Sequence, residues 1–214
     1  MFRTGDEEVK ALDGIDLEIR RGEFVAVVGP SGSGKTTLLN VMGGIERPDA
    51  GEVWFMGRRI DTLPEGKLSD LRLQSMGFVF QSHNLIPTLT AEENAEFVLF
   101  LRGVPAKERR RRVREVFSAL GIENLAGRFP SEMSGGQQQR VAIARAIVGN
   151  PAVVLADEPT ANLDSENTVA VVDLMLRINS DSGTTFVLST HDPLVIERAK
   201  RVVRMRDGRI VGEG

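Results

Sequence analysis

The segment Gly29-Pro30-Ser31-Gly32-Ser33-Gly34-Lys35-Thr36 constrains this chain more than any other, because it fits the pattern G-x-x-x-x-G-K-[ST]. Its flanks suit the pattern. Glu23 to Val28 is a short apolar run rich in β-formers, and Thr37 to Met42 continues as a helix. A strand, a glycine-bearing loop and a helix in that order curl backbone N–H groups around phosphate oxygens. The lysine is set against their charge, the threonine hydroxyl beside a metal ion, and Thr37 joins the same phosphate-facing turn. The chain therefore has to contain at least one parallel α/β unit built around an anion.

Length and composition set the outer bounds. At 214 residues, 41% hydrophobic and 27% charged, the chain can bury a sizeable core in one large or two small domains. No apolar run approaches the roughly 18 residues that span a bilayer. The start, Met1 to Glu8, has neither the basic residues nor the apolar stretch of a secretion signal, and there is no cysteine, so a cytoplasmic protein is expected. A net charge of −3 argues against a broad nucleic-acid surface. Lys107 to Arg114 is a dense local basic run with two readings. Val113, Val116, Phe117 and Leu120 recur at helical spacing and turn the arginines to solvent; alternatively the run contacts anionic headgroups or a partner.

Along the chain, residues 9–19 alternate apolar and polar side chains and read as a strand entering a hairpin. Further strands are expected at 51–56 and 58–60 around Gly57, at 76–80, 152–156, 184–190, 201–205 and 209–211. Between about 83 and 149 the pattern turns helical, with helices over 91–101, 106–120 and 136–148, whereas helices over 166–178 and 193–199 alternate with strands. The expected architecture is α/β: a phosphate-loop core with a parallel sheet (about 1–82 and 150–214), an antiparallel β part, and a helical insert (about 83–149), all in one domain.

The chemistry-bearing residues fall at strand ends, where ligands of parallel sheets bind. Val153 to Ala156 leads into Asp157 and Glu158, so Thr36 and Asp157 are expected to hold Mg²⁺ while Lys35 reaches the β- and γ-phosphates. Glu158 is placed to polarise an attacking water, and His191, ending the strand Thr184 to Thr190, to hydrogen-bond that water and the γ-phosphate. Ser134-Gly135-Gly136-Gln137 opens a helix with Ser134 as its cap and forms a second anion-binding turn. One nucleotide does not need two such cradles from one subunit, so this turn is expected to serve ATP held by another copy.

At these residues the chain resembles the nucleotide-binding subunit of ATP-binding cassette transporters, in order and over nearly its whole length. The resemblance implies an ATPase in which Gln81 faces the metal and the reaction centre, Ser134 to Gln137 form the signature, Ala161-Asn162-Leu163-Asp164 the D-loop, and His191 the switch histidine. It also implies an ATP-dependent head-to-tail homodimer on the cytoplasmic face of the membrane, with an integral permease docked near Gln81 to Thr90. Gly77 to Gln81, Asn84 to Ala91, Ser134 to Arg140 and Leu155 to Thr160 are similar to the lipoprotein-release and macrolide-exporter branch, which powers export or mechanotransmission. Two departures stand out. Met133 occupies the usual leucine position, a volume-conserving swap. Phe2 aligns with the adenine-stacking aromatic but lacks the strand that normally precedes it, which implies either a shortened start or a differently built sheet edge. An ATP-gated regulatory or assembly module, or a nucleic-acid-associated ATPase, are the alternative readings of the same residues.

Overall fold

The computed structural model describes residues 2–4, 7–161 and 163–214, with side chains from residue 10 onward. Its centre is a six-stranded sheet. Strands β3 (Phe24–Val28), β6 (Met76–Val79), β7 (Val153–Asp157), β8 (Thr185–Thr190), β9 (Arg201–Arg206) and β10 (Arg209–Glu213) lie in the order β10-β9-β3-β8-β7-β6. All neighbours are parallel except β10, which returns antiparallel on β9. Every residue of β3 and β8 is buried, as expected of inner parallel strands covered on both faces.

Alternate side chains of these strands feed two cores. Phe24, Val154, Ala156, Phe186 and Leu188 point to one face, where they meet Val171, Val172 and Met175 of α6 (Ser165–Ser182). Val25, Val27, Val153, Leu155 and Val187 point to the other, against Leu38 and Leu39 of α1 (Lys35–Met42). The first core extends into a group of helices, α3 (Ala91–Leu101), α4 (Ala106–Leu120) and α5 (Gly135–Ile147), which pack on one another. Helix α5 also lies tightly on β6: a Cβ on Gly77 would come within 2.4 Å of the Ala146 carbonyl oxygen, so only glycine fits there.

Local sequence accounts for the helix bounds. Thr90 and Glu93 form a reciprocal capping box at the start of α3, and Gly121 closes α4 in a left-handed conformation. Half of the basic run on α4 is neutralised by its own helix and its neighbour, since Arg111 pairs with Glu108 and Glu115, Arg112 with Glu108, and Arg109 with Glu96, while Lys107, Arg110 and Arg114 are exposed. The Arg109 guanidinium also sits 5.3 Å above the Phe100 ring. This supports the solvated-face reading of the run.

Three expectations need correction. Residues 10–23 form no ladder; the strand β2 (Glu7–Val9) stops where the alternation begins and pairs instead with β1 (Phe2–Thr4). The alternation is nevertheless physical, because Leu12, Ile15, Leu17 and Ile19 press one side of an extended segment against the second core. The strand pair around Gly57 shrinks to β4 (Trp54–Phe55) and β5 (Arg58–Arg59), joined by Met56 and Gly57 at positive φ. Finally, α2 (Glu65–Ser75) is a helix absent from the sequence expectation, because Leu68 is its one buried residue and no apolar stripe marks it.

Candidate active site

The carboxyl ends of β3, β7 and β8 converge, as the order of strands requires, and the loop after β3 wraps into the start of α1. Gly34, with φ 98, is the residue before the helix, a conformation that suits glycine alone. Gly29 sits so close to its surroundings that a Cβ would lie 2.3 Å from the Met205 carbonyl oxygen and 2.6 Å from Ser33 Oγ. The turn between β9 and β10 braces the loop from behind, the Gly208 N–H donating to the Ser33 carbonyl at 3.1 Å. Pro30, Ser31 and Gly32 form the exposed rim, and Thr37 is half-buried on the first turn of α1. Ser33 Oγ is buried and has no partner among the described residues. A small cradle of amides with a spare hydroxyl is what an anion needs.

Lys35 is 8% exposed and its Nζ donates to the carbonyls of Gly29 and Pro30 at 2.8 and 3.2 Å, with Glu158 Oε1 3.8 Å away. Thr36 Oγ1 donates to both carboxylate oxygens of Asp157, at 3.1 and 3.0 Å. Ser189 Oγ donates to Asp157 Oδ1 at 2.5 Å, and Ser189 Oγ itself accepts the Glu158 N–H at 2.9 Å. Sequence reasoning missed Ser189. Nothing but its place two residues before His191 marks it, yet it fixes the rotamer of one carboxylate and the backbone of the next. Glu158 has φ 46, so the chain leaves β7 by a left-handed residue. Successive side chains of a strand point to opposite faces, and this turn lets Asp157 and Glu158 serve the same crevice. Opposite Glu158, the 71% exposed ring of His191 meets Oε1 through Nδ1 at 3.0 Å. A carboxylate oxygen only accepts, so Nδ1 carries the proton and Nε2 faces away from the pair.

A hydroxyl and a carboxylate from two elements, already oriented toward each other, form the oxygen donor set that a small hard cation takes alongside phosphate and water oxygens. The set fits Mg²⁺.

Other expected residues lie further out. Gln81 is two residues past the Val79–Ala156 pairing of β6 with β7, on the same edge of the sheet. Ser134 caps α5 in a capping box with Gln137, so the Gln137 amide is already engaged while Gly135 is exposed. At Gly136 this turn lies against Leu163 and Asn167, at the start of α6. Asp164 caps α6 through the Asn167 N–H at 2.8 Å, a contact that holds its carboxyl below the usual carboxylate range. Met133 is buried in the first core, as its replacement of a leucine requires. The side chain of Phe2 and all of Asn162 lie outside the described residues, so neither adenine stacking nor that part of the D-loop is addressed by this geometry.

The sheet and crevice define a phosphate-loop nucleotide hydrolase with a helical group on one flank. The family model described as ABC transporter matches residues 12–161, and the chain belongs to that family as an ATP-binding cassette and ATPase. It is 47% identical over 202 residues to the lipoprotein-releasing system ATP-binding protein LolD of Aquifex aeolicus, covering 94% of this chain and 90% of that one. It is 46% identical over 212 residues to the macrolide export ATP-binding/permease protein MacB 1/2 of Paracoccus denitrificans, covering 99% of this chain. The chain spans 32% of that polypeptide, about a third of its length. Among solved structures, the dimeric bacterial ABC transporter cassette MJ0796 superposes with a TM-score of 0.93 at 40% identity, covering all of this chain and 94% of the other. A second structure of MJ0796, a post-hydrolysis state bound to ADP and Pi, matches equally well. Among the described residues, no helix is long and apolar enough to cross a membrane.

Proposed function

We propose that this chain is a single cassette, residues 1–214 with a helical insert at about 83–149, that hydrolyses MgATP between two head-to-tail copies on the cytoplasmic face of a membrane and drives a separate permease. The observation that carries the proposal is the convergence of Lys35, Thr36, Asp157, Glu158 and His191 in one set of contacts from three strand ends. Thr36 and Asp157 would hold Mg²⁺, with Gln81 on the adjacent strand end completing that side. The ion, when bound, neutralises charge on the β- and γ-phosphate oxygens. Lys35 leaves the loop carbonyls for the same phosphates, whose oxygens offer it a stronger, charge-assisted bond.

Glu158 takes a proton from the attacking water as the new bond to the γ-phosphorus forms and the bridging bond to ADP breaks. His191 holds the Glu158 carboxylate in place from the solvent side through its Nδ1–H, and its Nε2 can donate to a γ-phosphate oxygen only when the ring is doubly protonated. Ser134 to Gln137 would complete the site of the opposing copy, with Asp164 beside them. The names of the relatives support a permease partner and work of the lipoprotein-release or macrolide-export kind, and the family resemblance suggests Gln81 to Thr90 as the segment on which that partner docks.

Glu158→Gln tests the core of this reading. It preserves shape and removes the base, so ATP binding is retained, hydrolysis falls by about 10²–10⁴ and an ATP-bound dimer accumulates in size-exclusion runs. Wild-type turnover in that variant would overturn the assignment.

A further inference from the structure

The loop that follows β6 passes Gln81 and then turns through two consecutive left-handed residues, His83 at φ 59 and Asn84 at φ 49. Histidine and asparagine tolerate that region better than most residues, but two in succession persist only where the surroundings impose them. Helix α5 supplies the imposition. Gln139 Oε1 accepts from His83 Nδ1 at 2.5 Å, and the Arg145 guanidinium donates to the carbonyls of Asn84 and His83 at 2.5 and 2.8 Å.

Neither helix residue is placed for its own stability. Gln139 is 1% exposed and its Nε2 has no partner among the described residues, an arrangement that leaves half of a buried amide unsatisfied. Burial of Arg145 lowers its pKa, and among the described residues its charge meets two backbone carbonyls and no carboxylate. Both groups are spent on holding the loop. The same α5 begins with the Ser134 turn and is seated on β6 at Gly77, so one helix carries the signature at its tip and grips the Gln81 loop along its length.

We propose that His83 and Gln139, backed by Arg145, are a positioning clasp that fixes the Gln81 loop relative to the Ser134 turn, so that the two reach their nucleotides together. The half-satisfied Gln139 amide makes the clasp able to exchange partners when the loop shifts. The proposal rests on the two-copy hydrolysis reading above.

The test uses the full chain with His83→Ala, Gln139→Leu and the double variant, measuring the ATP dissociation constant, kcat and the thermal midpoint. His83 lies in a surface loop, so His83→Ala keeps the test alive should Gln139→Leu fail to fold. The expected result is nucleotide affinity within about twofold of wild type, a kcat about tenfold lower in each single variant, and a double variant no slower than the slower single. Three results would overturn the clasp: kcat within twofold of wild type in the folded single variants, losses that multiply in the double variant, or affinity, midpoint and kcat falling in step. Failure of the underlying reading shows separately, as a Glu158→Gln variant that turns over at the wild-type rate.

Discussion

Two glycines of the same loop offer a controlled comparison of steric and conformational restraint. An alanine Cβ at position 29 would meet the Met205 carbonyl oxygen at 2.3 Å and Ser33 Oγ at 2.6 Å, against ordinary contact distances of about 3.5 Å. Met205 is itself buried on β9 of the central sheet and the clash is with its backbone carbonyl, so relief requires roughly 1 Å of backbone movement, not a rotamer change. Overpacking of this kind costs about 2–3 kcal/mol, which for a chain of this size lowers the thermal midpoint by about 4–12 °C. At Gly32 nothing lies within 4 Å, and the cost of Gly32→Ala is the φ of +78 alone. That is about 1 kcal/mol, or about 2–4 °C.

The two variants should also differ with nucleotide. Gly29 presents its carbonyl to Lys35, so moving it disturbs the lysine on which phosphate binding depends. Wild type with ATP at about a hundred times its dissociation constant gains about 2.7 kcal/mol, a rise of roughly 5–11 °C; Gly29→Ala should lose most of that rise. Melts of the three proteins with and without ATP suffice. If Gly29→Ala melts within about 2 °C of wild type, or above Gly32→Ala, the close packing inferred for the loop is wrong.

Other perturbations are equally direct. Asn94 is fully buried, accepting the Ile86 N–H and donating to the carbonyls of Ile86, Leu89 and Thr90, so Asn94→Ala should cost about 2–3 kcal/mol and speed amide exchange over residues 86–90. Asp164→Ala removes the cap of α6 and should cost about 1 kcal/mol, read as a lower urea midpoint with unchanged slope. Glu108 is held at about 2, against an ordinary 4.5, by hydrogen bonds from Arg111 and Arg112. A depressed carboxylate contributes above its ordinary pKa and loses that contribution as pH falls, so the stability gap between wild type and Glu108→Gln should be full near pH 6 and close between about 4.5 and 2. A gap that stays constant to pH 2 would contradict the pairing.

What could be read in the sequence was whatever a local pattern encodes. Helices α3 and α4 are read at their observed bounds, because a capping threonine, a terminal glycine and a regular apolar stripe all agree. The crevice was legible through motifs whose residue types admit few other uses, and the contacts of Thr36 with Asp157 and of His191 with Glu158 follow from strand order. Residues 10–19 misled because alternation reports one buried side, and an extended segment against a core edge has that without a ladder. Helix α2 was illegible for the opposite reason: a single buried leucine leaves no period, although Glu65 in its first turn and Arg72 in its last are weak end signals. Ser189, Gln139 and Arg145 act through partners distant in the chain, where no spacing rule reaches.

The left-handed exit from β7 at Glu158 narrows what mutation can do there. Valine, isoleucine or threonine would clash with their own backbone, and aspartate lacks the methylene that lets one carboxylate face both Lys35 and His191. Glutamine keeps length and volume, and a single base change in either glutamate codon produces it. On the proposed mechanism, that single change yields a cassette that still folds and still clasps nucleotide but is mute in turnover. On the same proposal, such a subunit paired with an intact one would stall the assembly they share.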